Sequence, residues 1–173
     1  MQTAFNRYGY TLIELMIVIA IMSILATKTF ASYSSIQLKL SQRTTAYNIE
    51  DFLNQARNNA IQLKHDIYVS IQESDNCLGA SASGPCDCSS EYSCLINSKN
   101  YRLILDNKQL SFNELTLAQS TYFKFEKHLG IAAGYNGSFA LHSSLADVRV
   151  ILSGLGRSRV CLDRGNMSGI SSC

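Results

Sequence analysis

The hydrophobic positions of this 173-residue chain are concentrated in one run near its start. From Tyr8 to Thr27 only Glu14 is charged, and Arg7 and Lys28 bracket the run. Twenty residues of helix rise about 30 Å, which is enough to cross the hydrocarbon core of a bilayer. The pattern therefore predicts a membrane-length apolar helix that contains one carboxylate.

The same helix is expected to continue beyond the apolar run. No Gly or Pro occurs between Tyr10 and Asp66, so nothing in the local chemistry stops a helix there. After Lys28 the pattern becomes amphipathic. The apolar face carries Ile49, Leu53, Ala56, Ala60 and Leu63, and the polar face carries Asn48, Gln55, Asn58, Asn59 and Gln62. This second half is predicted to pack on a globular domain.

Short apolar and alternating runs predict strands in the rest of the chain. They cover residues 67–71, 101–105, 121–125, 139–141, 148–152 and 159–162, with turn residues between them. An antiparallel meander laid across the apolar face of the helix is the expected arrangement. The predicted fold class is α+β, with a long N-terminal α-helix packed on an antiparallel β-sheet head domain.

Composition narrows the possible functions. The net charge is only +2, from 15 Lys and Arg against 13 Asp and Glu, which is too small for a general coat on nucleic acid. His65, His128 and His142 stand singly without a catalytic motif, and we find no phosphate loop. We therefore expect no enzyme and no cofactor, and any charge-driven function must be local.

The six cysteines indicate an oxidising compartment and disulfide bridges. They form a group of four and a group of two: Cys77, Cys86, Cys88 and Cys94, then Cys161 and Cys173. The first group lies in a Ser- and Gly-rich stretch, 73–99, that is expected to bury little and to need stapling. Cys86 and Cys88 are each expected to reach Cys77 or Cys94, and Cys161 is expected to pair with Cys173. Zinc is the alternative for the first group, but the spacing fits a structural zinc site poorly, so we expect no metal.

Three interpretations of the apolar run are open at this point. A secretory signal peptide requires an uninterrupted apolar stretch and a small-residue cleavage site, whereas Glu14 interrupts the run and the exit at 29–31 is weak. A plain membrane anchor leaves Glu14 unexplained, because a carboxylate deep in a membrane helix costs about 2.5 to 3.5 kcal/mol. The third interpretation gives Glu14 a function.

Residues 9–21, Gly-Tyr-Thr-Leu-Ile-Glu-Leu-Met-Ile-Val-Ile-Ala-Ile, resemble the leader junction of type IV pilins and type II secretion pseudopilins. The resemblance implies that a prepilin peptidase cuts after Gly9 and methylates the new amino terminus at Tyr10. Most members have Phe at this position, and Tyr10 keeps the ring. The implied organisation is a leader peptide at 1–9, a membrane-spanning or filament-core half of the helix at 10–33, and a periplasmic globular head at 34–173.

Within such a filament, Glu14 is expected to pair with the ammonium group of Tyr10 in a neighbouring subunit. Removing one partner would leave an uncompensated buried charge, at a cost of roughly 3 to 5 kcal/mol, so the pair would set the axial register. The alternative is a glutamate near a helix start that reaches the interface. The implied location is the inner membrane before assembly and an extracellular filament of pilin subunits afterwards.

A second candidate site is the sequence Gly-Arg-Ser-Arg at 156–159. In an extended strand Arg157 and Arg159 point to one side and the serine between them to the other. Arg149 and Arg164 are close in sequence, and guanidinium groups can grip phosphate oxygens bidentately. The alternative is a solvated edge-strand face that discourages edge pairing.

This end of the chain resembles the minor pilins of the FimT/GspH group, in which Gly-Arg-x-Arg follows the penultimate strand. FimT-type members are associated with DNA binding in natural transformation, which implies that Arg157 and Arg159 contact double-stranded DNA. Because Arg149 and Arg164 are near them in the sequence, we expect one of these to help. Residues 70–120 show no match, and their Cys-rich insert departs from the group. The expected function is a minor pilin that primes filament assembly and binds DNA. The alternative is a GspH-like minor pseudopilin of a type II secretion system that binds none.

Overall fold

The computed structural model describes residues 10–118 and 122–173, without the side chains of 27–32. The expected leader, including Gly9, and Thr121 at the start of one predicted strand lie outside the described residues. The chain divides into two compact units, one that ends at Gln37 and one that begins at Leu38. Helix α1 (Leu12–Leu63) contributes to both.

Helix α1 agrees with the uninterrupted helix expected between Tyr10 and Asp66. It ends at Leu63, and Lys64 takes a left-handed φ of 55°, a conformation common just past a helix end. In the first unit, the described side chains of residues 10–26 are all exposed, so no described part of that unit covers the apolar run. No helix in the described part of the chain is both long enough and apolar enough to cross a membrane.

In the second unit, which we call the head, α1 buries its predicted apolar face. Ile49, Leu53, Ala56 and Ala60 are fully buried, and Leu63 is partly buried. The polar positions Asn48, Gln55, Asn58 and Gln62 are exposed. The spacing of apolar residues therefore located the face of α1 that forms the core.

One polar residue, Gln42, lies on the buried face of α1. Its side-chain amide donates to the carbonyl oxygens of Leu141 at 2.8 Å and Ala146 at 2.9 Å. Its side-chain oxygen accepts a hydrogen bond from Ser143 Oγ at 2.8 Å. Because each group has a partner, this buried amide joins the helix to the strands behind it without the cost of an unsatisfied polar group.

The described residues of the head contain ten strands, all paired antiparallel. They are β1 (Ile67–Gln72), β2 (Cys77–Ser81), β3 (Leu95–Ile96), β4 (Lys99–Asn100), β5 (Arg102–Ile104), β6 (Ser111–Leu117), β7 (Phe123–Phe125), β8 (Gly137–His142), β9 (Asp147–Leu152) and β10 (Ser158–Arg164). One sheet has the order β5-β2-β1-β7, a second has β10-β9-β8-β6, and β3 pairs with β4.

The predicted fold class is confirmed, but the single meander is wrong. After β6 the chain crosses to the first sheet for β7 and then returns to the second as β8. Phe123 of β7 packs against Phe139 of β8 with ring centroids 6.1 Å apart, so the two sheets share one core. Side chains from both four-stranded sheets pack in one core with the apolar face of α1.

The expectation that residues 73–99 bury little is also wrong for β2. All five residues of β2 are buried. Leu78 and Ala80 belong to the core, whereas Gly79 lies under the disulfide-linked segment that follows. A Cβ on Gly79 would be 2.1 Å from Cys94 Sγ, so glycine lets the cysteines lie directly on the strand.

Candidate functional site

The N-terminal site begins with a local hydrogen-bonded arrangement at the start of α1. The backbone N–H of Thr11 donates to Glu14 Oε2 at 2.9 Å, and Thr11 Oγ1 donates to the same oxygen at 3.0 Å. In return, the backbone N–H of Glu14 donates to Thr11 Oγ1 at 3.3 Å. This is a capping box, which satisfies amide groups that a helix start would otherwise leave unpaired. The Thr-x-x-Glu spacing could have revealed Thr11 in the sequence.

Glu14 retains a free oxygen in this arrangement. Both bonds from Thr11 use Oε2, and among the described residues Oε1 has no hydrogen-bond partner. Tyr10 and Glu14 border the same groove on the helix surface, together with Leu15, Ile17 and Val18. The helix therefore presents one carboxylate oxygen on an otherwise apolar, exposed surface.

The second candidate site lies on the hairpin of β9 and β10. Arg157 and Arg159 are exposed, while Ser158 between them is buried and donates from Oγ to Asn54 Oδ1 of α1 at 3.1 Å. The alternation predicted for the Gly-Arg-Ser-Arg sequence is therefore observed. Arg159 lies opposite Ile151 in the β9–β10 register, and its exposed side chain projects from the outer face of the second sheet.

The turn that precedes the arginines is fixed by Gly156. Its φ is +76°, and a Cβ at this position would lie 1.9 Å from the carbonyl oxygen of Gly130. Its N–H donates to the carbonyl of Ser153 at 2.9 Å, and the N–H of Arg157 donates to Ser153 Oγ at 3.2 Å. Only glycine fits this position without strain, which gives a structural reason for the glycine of the motif.

The two further arginines of the predicted site are bound to carboxylates. Arg149 contacts Asp163 and Glu114, and Nη2 lies 2.6 Å from the Glu114 carboxylate. The hydrogen bond to Asp163 and, to a smaller extent, the one to Glu114 raise the pKa of Arg149. Arg164 is exposed but donates from Nε to Asp147. Both cations are thus largely neutralised where they lie.

Asp147 also contacts His142 through Nδ1. The hydrogen bond from the Arg164 guanidinium lowers the pKa of Asp147 more than the contact with His142 does. Glu114 was missed by sequence reasoning, because it reaches Arg149 through a bulge in β6 and takes a φ of 53°. A bulge of this kind interrupts alternation and leaves no clear signal in the sequence.

The exposed arginine pair borders a concavity. Arg157, Arg159, Ile151 and Ser153 line a volume of about 400 Å³. A second concavity shares Ile151 and Ser153 and continues toward Ser138 of β8. The outer face of the second sheet thus offers two exposed guanidinium groups beside a shallow depression.

All six cysteines form bridges, as predicted. The pairs are Cys77 with Cys88, Cys86 with Cys94, and Cys161 with Cys173. The choice between Cys77 and Cys94 that the sequence left open is therefore decided. Among the described residues, no group of three or more His, Cys, Asp or Glu side chains could hold a metal ion.

Comparison with known proteins gives one sequence match and several structural ones. Residues 5–27 match the prokaryotic N-terminal methylation motif. A crystal structure of the minor pseudopilin EpsH from the type II secretion system of Vibrio cholerae aligns with a TM-score of 0.52 and 12% identity over 75% of this chain and 99% of that one. A second EpsH structure gives 0.51 and 12% over 70% and 97%.

The type IV minor pilin FimU of Pseudomonas aeruginosa (strain PAO1) aligns with a TM-score of 0.47 and 15% identity over 70% of this chain and 92% of that one. No curated protein sequence matches the chain significantly. At these identities the EpsH likeness establishes the fold. The chain thus combines a prokaryotic N-terminal methylation motif with the fold of the minor pseudopilin EpsH.

Proposed function

We propose that this protein is a minor subunit of a type IV pilus-like filament. It would be made as an inner-membrane precursor and leave the membrane when it is incorporated into the filament. The observation that carries the proposal is the methylation motif at 5–27, within which the large apolar side chains from Tyr10 to Leu25 are exposed. Surface of this kind must be covered by lipid or by other helices. A prepilin peptidase would cut after Gly9, and the head, which contains the core, would stay outside the membrane.

Glu14 is proposed to join neighbouring subunits. Cleavage after Gly9 frees an ammonium group on Tyr10, and the Oε1 atom of Glu14 is available to receive one from another subunit. In an apolar filament core such a pair is strongly favoured over either charge alone. The capping box remains compatible with this pairing, because it occupies only Oε2.

The test is incorporation into filaments. Glu14→Ala should leave processing and the thermal stability of the head unchanged while the protein disappears from the sheared filament fraction. Glu50→Ala, a change of the same kind within the head portion of α1, is the matched control and should assemble normally. Normal incorporation of Glu14→Ala would remove the register argument.

DNA binding is a second candidate function, supported by the state of the arginines. Arg157 and Arg159 are exposed, and among the described residues neither forms an ion pair, whereas Arg149 and Arg164 are held by carboxylates. Two free guanidinium groups on a strand suit the phosphates of double-stranded DNA. We therefore infer that Arg157 and Arg159 make the contacts and that Arg149 and Arg164 contribute little.

A titration of DNA into the purified protein tests this function. Non-specific binding through a few phosphates predicts a dissociation constant of roughly 10⁻⁴ to 10⁻⁶ M. Two contacts predict a logarithmic salt slope of about −2. Arg157→Gln with Arg159→Gln should abolish most binding, whereas Lys99→Gln with Lys108→Gln, a loss of equal charge elsewhere on the surface, should not. Unchanged binding in the arginine variant would refute the assignment.

The alternative is a minor pseudopilin of a type II secretion system that binds no DNA. In this alternative Glu14 still joins subunits of a filament, but Arg157 and Arg159 only keep the edge of the sheet solvated. Absence of any DNA-dependent shift in the NMR resonances of residues 156–162 at low salt would favour this alternative. Secretion genes beside the coding sequence would favour it as well.

A further inference from the structure

We propose that the end of the head where α1 stops is a docking surface for a neighbouring filament subunit whose contacting face is apolar at its centre and acidic at its edge. The inference rests on the proposed function as a filament subunit and adds a surface and a partner chemistry to it. The apolar part of the surface consists of Ile61, Leu129 and Leu155, which we call the leucine patch.

The backbone that carries the leucine patch is fixed. Arg57 Nε donates to the carbonyl oxygen of Gly130 at 3.0 Å, which ties the turn after β7 to the helix. Gly156 packs against the same carbonyl, since a Cβ there would lie 1.9 Å from the oxygen. Leu129 and Leu155 immediately precede these two glycines, so the two turns that carry them lie side by side, held by backbone contacts.

The side chains of the patch are nevertheless exposed. Leu155 is 76% exposed, Leu129 is 66% exposed and Ile61 is 38% exposed. Ile61 Cδ1 lies 3.0 Å from the position of a Cβ on Gly130, so it is recessed beside that turn. Single exposed leucines are common, but three apolar side chains from three elements at one place are typical of an interaction surface.

Cations surround the leucine patch. Arg57 lies one turn before Ile61 on the same side of α1, and Lys64 is the first residue after the end of the helix, three residues beyond Ile61. The turn of Leu129 and the turn of Leu155 add one cation each, Lys127 and Arg157.

The two carboxylates in the turn region are bound to groups of this protein. Glu126 accepts hydrogen bonds from the backbone N–H groups of Leu129 at 3.1 Å and His128 at 3.0 Å. Asp66 accepts from the backbone N–H of Lys127 at 3.0 Å and lies 3.5 Å from Lys124 Nζ. Both carboxylates remain charged, but four cations, Arg57, Lys64, Lys127 and Arg157, outnumber them. The rim of the leucine patch therefore has a net positive charge, and a complementary partner must bring carboxylates.

The shape of the leucine patch favours a protein as its binding partner over DNA or a lipid surface. Phosphates cannot bury leucine side chains, so DNA would use only the cations. A lipid surface would take up the protruding Leu129 and Leu155 but not the recessed Ile61. An apolar side chain of a second protein can enter beside Ile61 between the leucines while carboxylates meet the cationic rim, which is the usual pattern of an apolar centre with a polar edge.

Photo-crosslinking in the bacterium that encodes the protein tests the proposal. The full-length chain carries p-benzoylphenylalanine in place of Leu155, and a matched chain carries it in place of Lys108, an exposed residue before β6. We expect position 155, but not 108, to crosslink to another subunit with an N-terminal methylation motif, through a peptide that contains carboxylates and apolar residues. Adding Leu129→Ser should lower the yield about tenfold, the loss expected for one interface anchor.

Several results would overturn the docking surface. These are crosslinks at position 155 only to a second copy of this chain, to phospholipid or to DNA, a crosslinked peptide rich in Lys and Arg, or a yield no higher than at position 108. The amount of protein in the sheared filament fraction distinguishes a failure of the docking surface from a failure of the proposed function. Protein that assembles without the crosslink refutes the docking surface alone, whereas protein absent from filaments refutes the proposed function.

Discussion

At the scale of single residues, the geometry of the arginine pair depends on Gly156. This glycine combines a left-handed φ with backbone contact to Gly130, and it ends the turn from which Arg157 and Arg159 leave on one side of the strand. A Cβ on Gly154, two positions earlier, would meet no atom closer than Asn136 Oδ1 at 4.0 Å. The two glycines of one turn therefore have different structural roles.

Gly156→Ala should destabilise the head, whereas Gly154→Ala should be nearly neutral. The first change forces a left-handed φ on a residue with a Cβ, which costs about 1 to 3 kcal/mol before the clash with Gly130 is counted. Urea unfolding of the two variants measures the difference in the free energy of unfolding. Equal stability of the two would show that the contact between Gly130 and Gly156 relaxes at little cost.

At the scale of elements, the Cys-rich segment is the outer cover of the first sheet. The bridge between Cys86 and Cys94 lies on Gly79 of β2, and the N–H of Cys86 donates to Ser70 Oγ of β1 at 3.1 Å. The bridge between Cys161 and Cys173 instead holds the chain end beside β10, where Leu162 and Ser172 also form a bridge pair. One bridge thus supports a buried strand and the other a terminus.

Removal of each bridge should reveal this difference. The two loops are of similar length, with sequence separations of 8 and 12 residues, so loop entropy alone predicts a similar loss of about 2 to 3 kcal/mol for each. The variant Cys86→Ser with Cys94→Ser should lose more than Cys161→Ser with Cys173→Ser, because it also uncovers β2. Melting temperatures measure this, with thiol labelling to show that the unaltered protein has no reactive thiol. Equal losses, or stoichiometric zinc in the protein, would contradict the structural role.

At the scale of the whole molecule, one chain carries two surfaces suited to different surroundings. The first unit exposes apolar side chains around one carboxylate, and the head buries its apolar side chains in its own core. The described core of the head consists of residues from Leu38 to Ile170. This division is what a filament subunit requires, since the helix must associate with other helices while the head stays folded by itself.

Processing of the precursor gives the whole-molecule prediction. Intact-mass measurement of membrane-extracted protein should show a chain that begins at Tyr10 and carries one additional methyl group. The proposed cleavage after Gly9 would leave the capping box of Thr11 next to the new terminus, so α1 could begin directly after it. A mature chain that begins near Ser32 would be inconsistent with a pilin-type leader.

Local patterns in the sequence were sufficient for α1, for its buried face and for the alternation of Arg157, Ser158 and Arg159. Each depends on the regular geometry of one helix or one strand, which repeats every 3.6 or every two residues whatever surrounds it. The pairing of all six cysteines was also predictable in outline, because their spacing leaves few reasonable partners. The methylation motif at 5–27 consists of consecutive residues, so it could also be identified from the sequence alone.

Only the tertiary structure decided which strands share a sheet, that β2 is buried, and which arginines remain unpaired. Arg149 meets Glu114 from a strand 35 residues away, and Gly79 is covered by cysteines that follow it in a loop. Such contacts arise when distant segments pack together, and the residues involved bear no fixed spacing to one another. Periodicity reports the shape of an element, whereas the charge left exposed on its surface depends on what the fold brings beside it.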